Sequence, residues 1–472
     1  MKNLSRRQLL RLTCLTSAVT VTLSSCTLLF PFTSPPPHRA PVELTLYYGP
    51  FGHIAGESSP EERILIQASH DFTHIHPDVH ITIRSVENLD KSSLVQLFNP
   101  LSSDHGDLFL SLATLPSMET PNIPISLTNV MTPVDSFLRQ DKKVTIKSFY
   151  SAAIERSTIQ GKIIGLPRDI QPDQAIFYNE ERFNRIGIKP PISDWTIDEF
   201  LNLTQEVAKA NLHKQPVTLR YGYTDEDPLT SLFDFIYVFG GRRVTTPPTP
   251  PQIILNSPDA VAGAQFYVNL IQKYHVAPAP EERLGLYENS PIIDFMLGHV
   301  PLLAAPTTTI STLHSMRRKL AWNIRMFPTL PNVQKAWVGV GAAVYLARVC
   351  QHPDEAWEVA KDLCAGHGMK LRALIGDVHP AAIDIAESPA YLSSGNPNGI
   401  QLFNSVGMAH MIPVDPSVSL DRLGLGGYIF STKPPNYTAT QHVIASNLDD
   451  LLNGKITPTQ LLNEATRVGN NG

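Results

Sequence analysis

Cysteine is scarce, with Cys14, Cys26, Cys350 and Cys364 the only four in 472 residues. So low a count excludes a disulfide framework and a structural zinc site built of thiolates. Charge is thin as well: 17% of residues are charged and the formal net charge is −5. An acidic excess argues against a nucleic-acid binder, whose surface must neutralise phosphates. Beyond the N-terminal region no apolar run reaches the length of a membrane span. Enzyme signatures are missing too, among them Gly-x-Ser-x-Gly, His-Glu-x-x-His and the Walker loop. Gly339-Val340-Gly341 lacks the third glycine of a dinucleotide fingerprint and lies far from the first strand. Hydrophobic residues, by contrast, make up 42%, which is globular composition and not that of a disordered chain. The length suggests two or three domain-sized units. Proline is abundant at 40 residues, so many segments must start or stop abruptly.

Lys2, Arg6, Arg7 and Arg11 precede an apolar, small-residue stretch from Leu12 to Leu23, with no acidic residue before position 26. This is the layout of a secretory signal. Ser5-Arg6-Arg7-Gln8-Leu9-Leu10 resembles a twin-arginine export signal, leaving two export routes open. Leu23-Ser24-Ser25-Cys26 resembles a bacterial lipobox, which implies that Cys26 is lipidated and becomes the new N-terminus. The other outcome of the same pattern is a soluble secreted protein cut near Ser25. Residues 1–25 are thus expected to be a signal peptide. Residues 26–41, with Pro31, Pro35, Pro36, Pro37 and Pro41, are expected to be an extended tether. Loss of residues 1–25 takes four positive charges away and leaves the mature chain at about −9.

From residue 42 the pattern alternates strands and helices. Glu43 to Tyr48 reads as a strand that breaks at Gly49-Pro50; Ile64 to Phe72 is amphipathic; Val79 to Val86 and Asp107 to Leu112 are further strands. This is the start of a wound α/β sheet, whose ligands bind beyond the carboxyl ends of the strands. Tyr47 to Phe51 and Leu112 to Thr114 then lie beside a crevice. Helix starts are marked downstream. Thr196-Ile197-Asp198-Glu199 and Thr457-Pro458-Thr459-Gln460 are capping boxes, and Ser257-Pro258 and Pro353 open further helices. Trp195 and Trp357 fall on helix stripes and are expected in the core.

A set of motifs follows in fixed order: Gly161-Lys162-Ile163-Ile164-Gly165-Leu166-Pro167, Ile176-Phe177-Tyr178-Asn179, Gly187-Ile188 and Trp195 to Phe200. Phe295-Met296-Leu297-Gly298, Val338-Gly339-Val340-Gly341, Pro353 to Trp357 and Leu451-Leu452-Asn453-Gly454-Lys455 complete it. Together they resemble the extracellular solute-binding proteins, family 1, of ABC importers, a group that includes the maltose-binding proteins. The resemblance covers residues 42–472.

It implies an α/β fold of two lobes, each a wound sheet flanked by helices, with a ligand cleft between them. One lobe would comprise 42–167 plus about 340–395, the other about 168–337 plus about 396–472, with crossings near Arg168–Gln171 and Trp337–Gly341. It further implies a lipid-anchored, monomeric binding component at the outer face of the membrane. Such a protein uses no cofactor or metal and does no chemistry itself; it passes a small solute of the carbohydrate class to ABC permease subunits. An envelope lipoprotein that hydrolyses glycans is the alternative reading.

Sugar sites pair aromatic platforms with carboxylates and amides. The candidate ligand-binding residues are accordingly Tyr48, Phe51, Thr114, Asp169, Gln171, Asp173, Tyr223 and Trp337. Many relatives carry a tryptophan after the strand that follows Gly298; here Ala305-Pro306-Thr307-Thr308-Thr309 stands there, which implies a smaller or more polar ligand. Asp225, Glu226 and Asp227, three neighbours in one loop, read as solvated carboxylates. His70, His74, His76 and His80 crowd together but read as a helix end, a turn and a strand rather than a metal site. A helix from Pro353 to Cys364 would rise about 16 Å, too far for a bridge to Cys350, so both are expected to be buried free thiols.

Overall fold

The computed structural model describes residues 40–49, 60–86, 89, 93, 96–110, 130–159, 161–191, 195–210, 220–245, 252–283, 290–315, 319–334, 337–376, 378–394, 411–412 and 436–471. All elements below belong to the compact unit Pro41–Gly472.

The first strand, β1 (Val42–Tyr48), starts one residue earlier than its alternation suggests, because the Val42 amide already donates to the Asp78 carbonyl. The helix Pro60–Ile75 carries the chain back over the sheet, burying Leu65, Ala68 and Phe72 at helical spacing, with Glu61 and Glu62 in its first turn where the helix dipole favours anions. It delivers β2 (Val79–Ser85) parallel to β1, with Val42 opposite Val79. β3 (Leu108–Leu110) lies on the other side of β1 and is likewise parallel. Two later segments complete this five-stranded sheet: β6 (Leu166–Pro167) and β13 (Ala343–Leu346), in the order β2-β1-β3-β13-β6. β13 runs antiparallel to both its neighbours. A small hairpin of β4 (Thr158–Ile159) and β5 (Lys162–Ile163) precedes β6, turning at Gly161, whose φ of 75° suits glycine.

The second sheet has four strands in the order β11-β8-β10-β9: β8 (Gln174–Asn179), β9 (Tyr223–Asp225), β10 (Leu302–Pro306) and β11 (Trp322–Arg325). Its flanking helices begin where the local chemistry says they should. Thr196 and Glu199 exchange bonds to each other's backbone amides at 2.7 and 3.2 Å ahead of the helix Ile197–Ala210. The Ser257 hydroxyl accepts from the Ala260 amide ahead of Pro258–Gln272. Trp195 and Trp357 are buried, as their stripes require. The C-terminal helix Pro458–Asn471 opens on the Thr457–Gln460 box and packs between Tyr437–Ser446 and the Pro258–Gln272 helix; Asn470 bonds the backbone of Ile253 at both its amide and its carbonyl.

A third, three-stranded sheet links the other two: β7 (Gln171–Pro172), β12 (Trp337–Val340) and β14 (Met411–Ile412), in the order β14-β12-β7. Cys350 and Cys364 are both free. Cys364 is buried with its thiol donating to the Leu166 carbonyl, whereas Cys350 is only half-buried, contrary to expectation. Among the described residues no helix is long and apolar enough to cross a membrane.

Candidate functional site

Strand direction decides which edges of the two main sheets can face a ligand. β1, β2 and β3 run parallel, so Tyr48, Ser85 and Leu110 end on one edge. Ala343, the first residue of β13, and Pro167, the last of β6, pair on that same edge. In the second sheet Pro306 at the end of β10 pairs with Gln174 at the start of β8, and Glu226 directly follows β9. The chain passes from the first edge to the second between Pro167 and Gln174, and a return path runs through β12 into β13. The two edges are therefore held on either side of the linking sheet. This is where a wound α/β sheet binds its ligands.

Polar side chains gather at the second sheet's rim. The Thr307 hydroxyl donates to the Pro172 carbonyl at 3.4 Å, the Thr309 hydroxyl to the Glu226 carboxylate at 3.3 Å, and the Gln174 amide to the Asp227 carbonyl at 3.5 Å. Burial by surrounding atoms pushes the Glu226 carboxyl above its usual range, with the Thr309 hydroxyl pulling the other way and Asp227 adding to the rise. Asp227 caps the helix Pro228–Val238, accepting from the amides of Leu229 and Thr230. Asp225 is not the solvated carboxylate its neighbours suggested: it is 0% exposed, accepts from the Tyr267 hydroxyl at 2.7 Å and is ion-paired with Arg283. Hydrogen-bonded by one partner and charge-paired with the other, it fixes the strand end on which Glu226 is carried.

The linking segments use their polar groups mainly on each other. The Asp169 carboxylate accepts from the Ala342 amide at 2.9 Å, and the Gln171 side-chain oxygen accepts from the His379 amide at 3.0 Å. Asp173 is buried beside them. Trp337 opens β12, opposite Met411, and is 6% exposed. Asp169, Gln171, Asp173 and Trp337 are thus brought into one region, and Tyr48 ends on the edge that faces it, its ring in the core of the first sheet. Tyr223 lies instead at the start of β9, the far end from Glu226. Its ring packs between Phe200 and Phe235, it is 0% exposed, and its hydroxyl meets Ser231 at 3.5 Å. Phe51, Thr114 and Cys26 lie outside the described residues.

Sequence reasoning missed a buried ion cluster at the root of the first crossing. Glu61 lies 2.7 Å from Arg168 and 2.7 Å from Arg372, and all three are buried. Burial pushes the Glu61 carboxyl up, but the two guanidinium groups outweigh it and hold it below the ordinary range. No local pattern could have found this cluster, since its members stand more than a hundred residues apart. Among the described residues no group of histidine, cysteine or acidic side chains is placed to hold a metal ion. A groove of about 770 Å³, lined by Phe72, His76, Lys147, Lys361 and Glu387 among others, opens near the start of β2, a strand's length from the candidate edge.

No protein-family model matches the chain. Solved structures do. An ABC substrate-binding protein from Listeria monocytogenes, in complex with cycloalternan, superimposes with a TM-score of 0.64 at 17% identity, covering 91% of this chain and 98% of that one. A cyclo/maltodextrin-binding protein complexed with maltotetraose gives a TM-score of 0.66 at 16% identity, covering 92% and 97%. A protein with mannotriose bound gives 0.61 at 19% identity, covering 91% and 100%. The fold is that of these proteins: two α/β lobes, each a sheet flanked by helices.

Proposed function

We propose that this two-lobed chain is the solute-binding component of an ABC import system, held to the membrane through a lipid on Cys26, and that it captures a carbohydrate between its lobes and hands it to permease subunits. The first lobe would hold residues 42–167 and about 340–395, the second about 168–337 and about 396–472. The observation that carries the reading is the arrangement of the two strand edges. Each presents its ligand-binding end to the same linking sheet, so a solute between them touches both lobes and favours the closed form. The sugar-bound state of the neighbours supports the ligand class. The rim residues Glu226, Thr307 and Thr309 and the crossing residue Asp173 offer carboxylate and hydroxyl groups suited to sugar hydroxyls, with Trp337 and Phe51 as aromatic contacts and Tyr48 supporting the facing edge from the core. Phe51 and Thr114 remain part of this proposal on the resemblance alone.

The test is a calorimetric and thermal-shift screen of maltose, maltotriose, mannotriose and cycloalternan, followed by chromatography of the recovered sugar. Saturable binding with intact sugar is the expected result. A ligand at a hundred times its Kd raises stability by about 2.7 kcal/mol, which a melting curve resolves. Recovery of shortened sugar would instead identify a hydrolase. Labelled palmitate on the expressed chain, lost on Cys26→Ser, checks the anchor.

A further inference from the structure

The groove of about 770 Å³ near the start of β2 has its charges sorted by element. The stretch that leads into the turn Ile146–Ser148 carries Lys142, Lys143 and Lys147, all exposed, and no acidic residue stands between Lys142 and Ile154. The acids come from two helices: Glu358 and Asp362 from Pro353–Ala365, and Asp384 from Ile383–Ala386, with Glu387 directly after it. Lys361, on the first of these helices, is spent on Asp141 at 2.6 Å and Glu358 at 2.7 Å. Asp362 is occupied as well, accepting from the amides of His367 and Gly368 at 2.9 and 3.0 Å. Lys143 and Lys147 thus stand on one element and exposed Asp384 and Glu387 on another, and among the described residues no ion pair joins them.

The floor between these charges is apolar. Phe72, Val144 and Ile383 line it. Ile75, also in the lining, is 68% exposed, and Ile146, between the lining residues Val144 and Lys147, is 45% exposed. The walls are built in advance. The Phe72 ring stacks on His76 at 4.5 Å, the Asp141 carboxylate accepts from the amides of Lys143 and Val144 at 2.8 and 2.9 Å, and the Ser148 hydroxyl accepts from the Thr145 amide at 3.0 Å. Phe149 bridges to Ala382 and so ties the lysine-bearing stretch to the helix of Asp384. A face ordered before it binds gives up little conformational freedom on binding.

An apolar centre with cations on one element and anions on another is complementary to itself. A two-fold axis through the groove sets the lysines of each copy against the carboxylates of the other and brings the isoleucines together near the axis. A partner of one charge sign would meet like charge on one of the two elements. We propose that this face pairs with the same face of a second copy, giving a two-fold dimer in place of the monomer that the family resemblance implies. The candidate ligand edge lies a strand's length away and stays open in such a pair.

Sedimentation velocity tests it on the full-length chain carrying Cys26→Ser, which needs no detergent. The parent should pass from monomer to dimer across a concentration series, and less readily at high salt. Lys143→Glu with Lys147→Glu in one chain, and Asp384→Lys with Glu387→Lys in another, should each weaken dimerisation about tenfold or more. Their melting temperatures should match the parent's, because all four side chains are exposed. Mixed in equal amounts, the two reversed chains should associate again, since each presents the charge that the other lacks. A parent that stays monomeric throughout would overturn the pairing and leave the groove to a different partner. Reversed chains that dimerise as the parent does would overturn it too, by placing the contact on another face, and a mixture that stays monomeric would overturn the two-fold arrangement.

Discussion

Replacing Gly341 by alanine places a methyl carbon 2.1 Å from the Asp169 carbonyl oxygen and 3.0 Å from the Ile170 Cα, where ordinary contact begins at 3.4 Å. Both atoms are backbone and neither can swing aside, so the crossings must part by more than an ångström. Parting them stretches two bonds that now measure 2.9 Å, from the Arg168 amide to the Ala342 carbonyl and from the Ala342 amide to the Asp169 carboxylate. A neutral bond of this kind contributes about 0.5–1.5 kcal/mol and one to a charged group about 1.5–3, so their joint loss costs about 2–4.5 kcal/mol. Gly161→Ala provides the comparison. Its φ of 75° strains alanine by about 1–2 kcal/mol, but no atom lies within 4 Å of the new methyl, so no crossing bond need stretch. Urea melts followed by tryptophan fluorescence should therefore rank the chains parent, Gly161→Ala, Gly341→Ala, with the last also losing protection from amide exchange at Arg168 and Ala342. A Gly341→Ala chain that melts with the parent, or that loses less than Gly161→Ala, would refute the claim that the crossings touch through this glycine.

Glu61→Gln leaves two buried guanidinium groups facing a neutral amide and should cost about 3–5 kcal/mol in chemical denaturation, whereas replacing Glu61, Arg168 and Arg372 together by leucine, methionine and leucine should come within about 1–2 kcal/mol of the parent. Asp141 supplies a pH test. Burial raises its carboxyl, but Lys361 at 2.6 Å, the amides of Val144 and Lys143 and the Trp357 indole together hold it well below the ordinary 3.8. A depressed folded value means the stabilisation is complete above the unfolded 3.8 and disappears as pH falls through the folded value. Asp141→Asn should thus melt below the parent at neutral pH, and the gap should close in strong acid; a gap independent of pH would show that the charge plays no part. Burial, reinforced by Asp107, pushes the Cys350 thiol up to about 12, and burial raises Cys364 further still. An aromatic disulfide reagent at neutral pH should leave both unmodified until denaturant is added, and prompt reaction of native protein would contradict their packing. Glu226→Ala should weaken sugar binding at least tenfold with an unchanged melting temperature in the absence of sugar, by calorimetry.

What the sequence made legible was local or repeated. The capping boxes at Thr196 and Thr457 and the proline-opened helices could be read because donor and acceptor stand three residues apart. The strand edges could be read because alternation, glycine turns and the order of motifs together fix a winding pattern. Gly341 is legible as a close backbone approach, but nothing local shows that Asp169 and Gln171 bond neighbouring backbone amides. A carboxylate or amide beside a cleft and one that clasps the neighbouring strand look identical in one dimension. Tyr223 misled for the same reason: a tyrosine in a polar stretch gives no sign that its own strand starts at the far end of the sheet. The Glu61–Arg168–Arg372 and Asp225–Arg283 pairs were invisible because buried ions choose partners by topology, not by spacing.

The order β2-β1-β3-β13-β6 also governs how the polypeptide can be made. β13 is wedged between β3 and β6, yet it is synthesised after every strand of the four-stranded sheet. A nascent chain that has just released Arg325 can already complete that later sheet, while the earlier one still shows an unpaired β3 edge to its surroundings. The sheet begun first is finished last, so the nascent chain carries its open edge until nearly three-quarters of it has emerged.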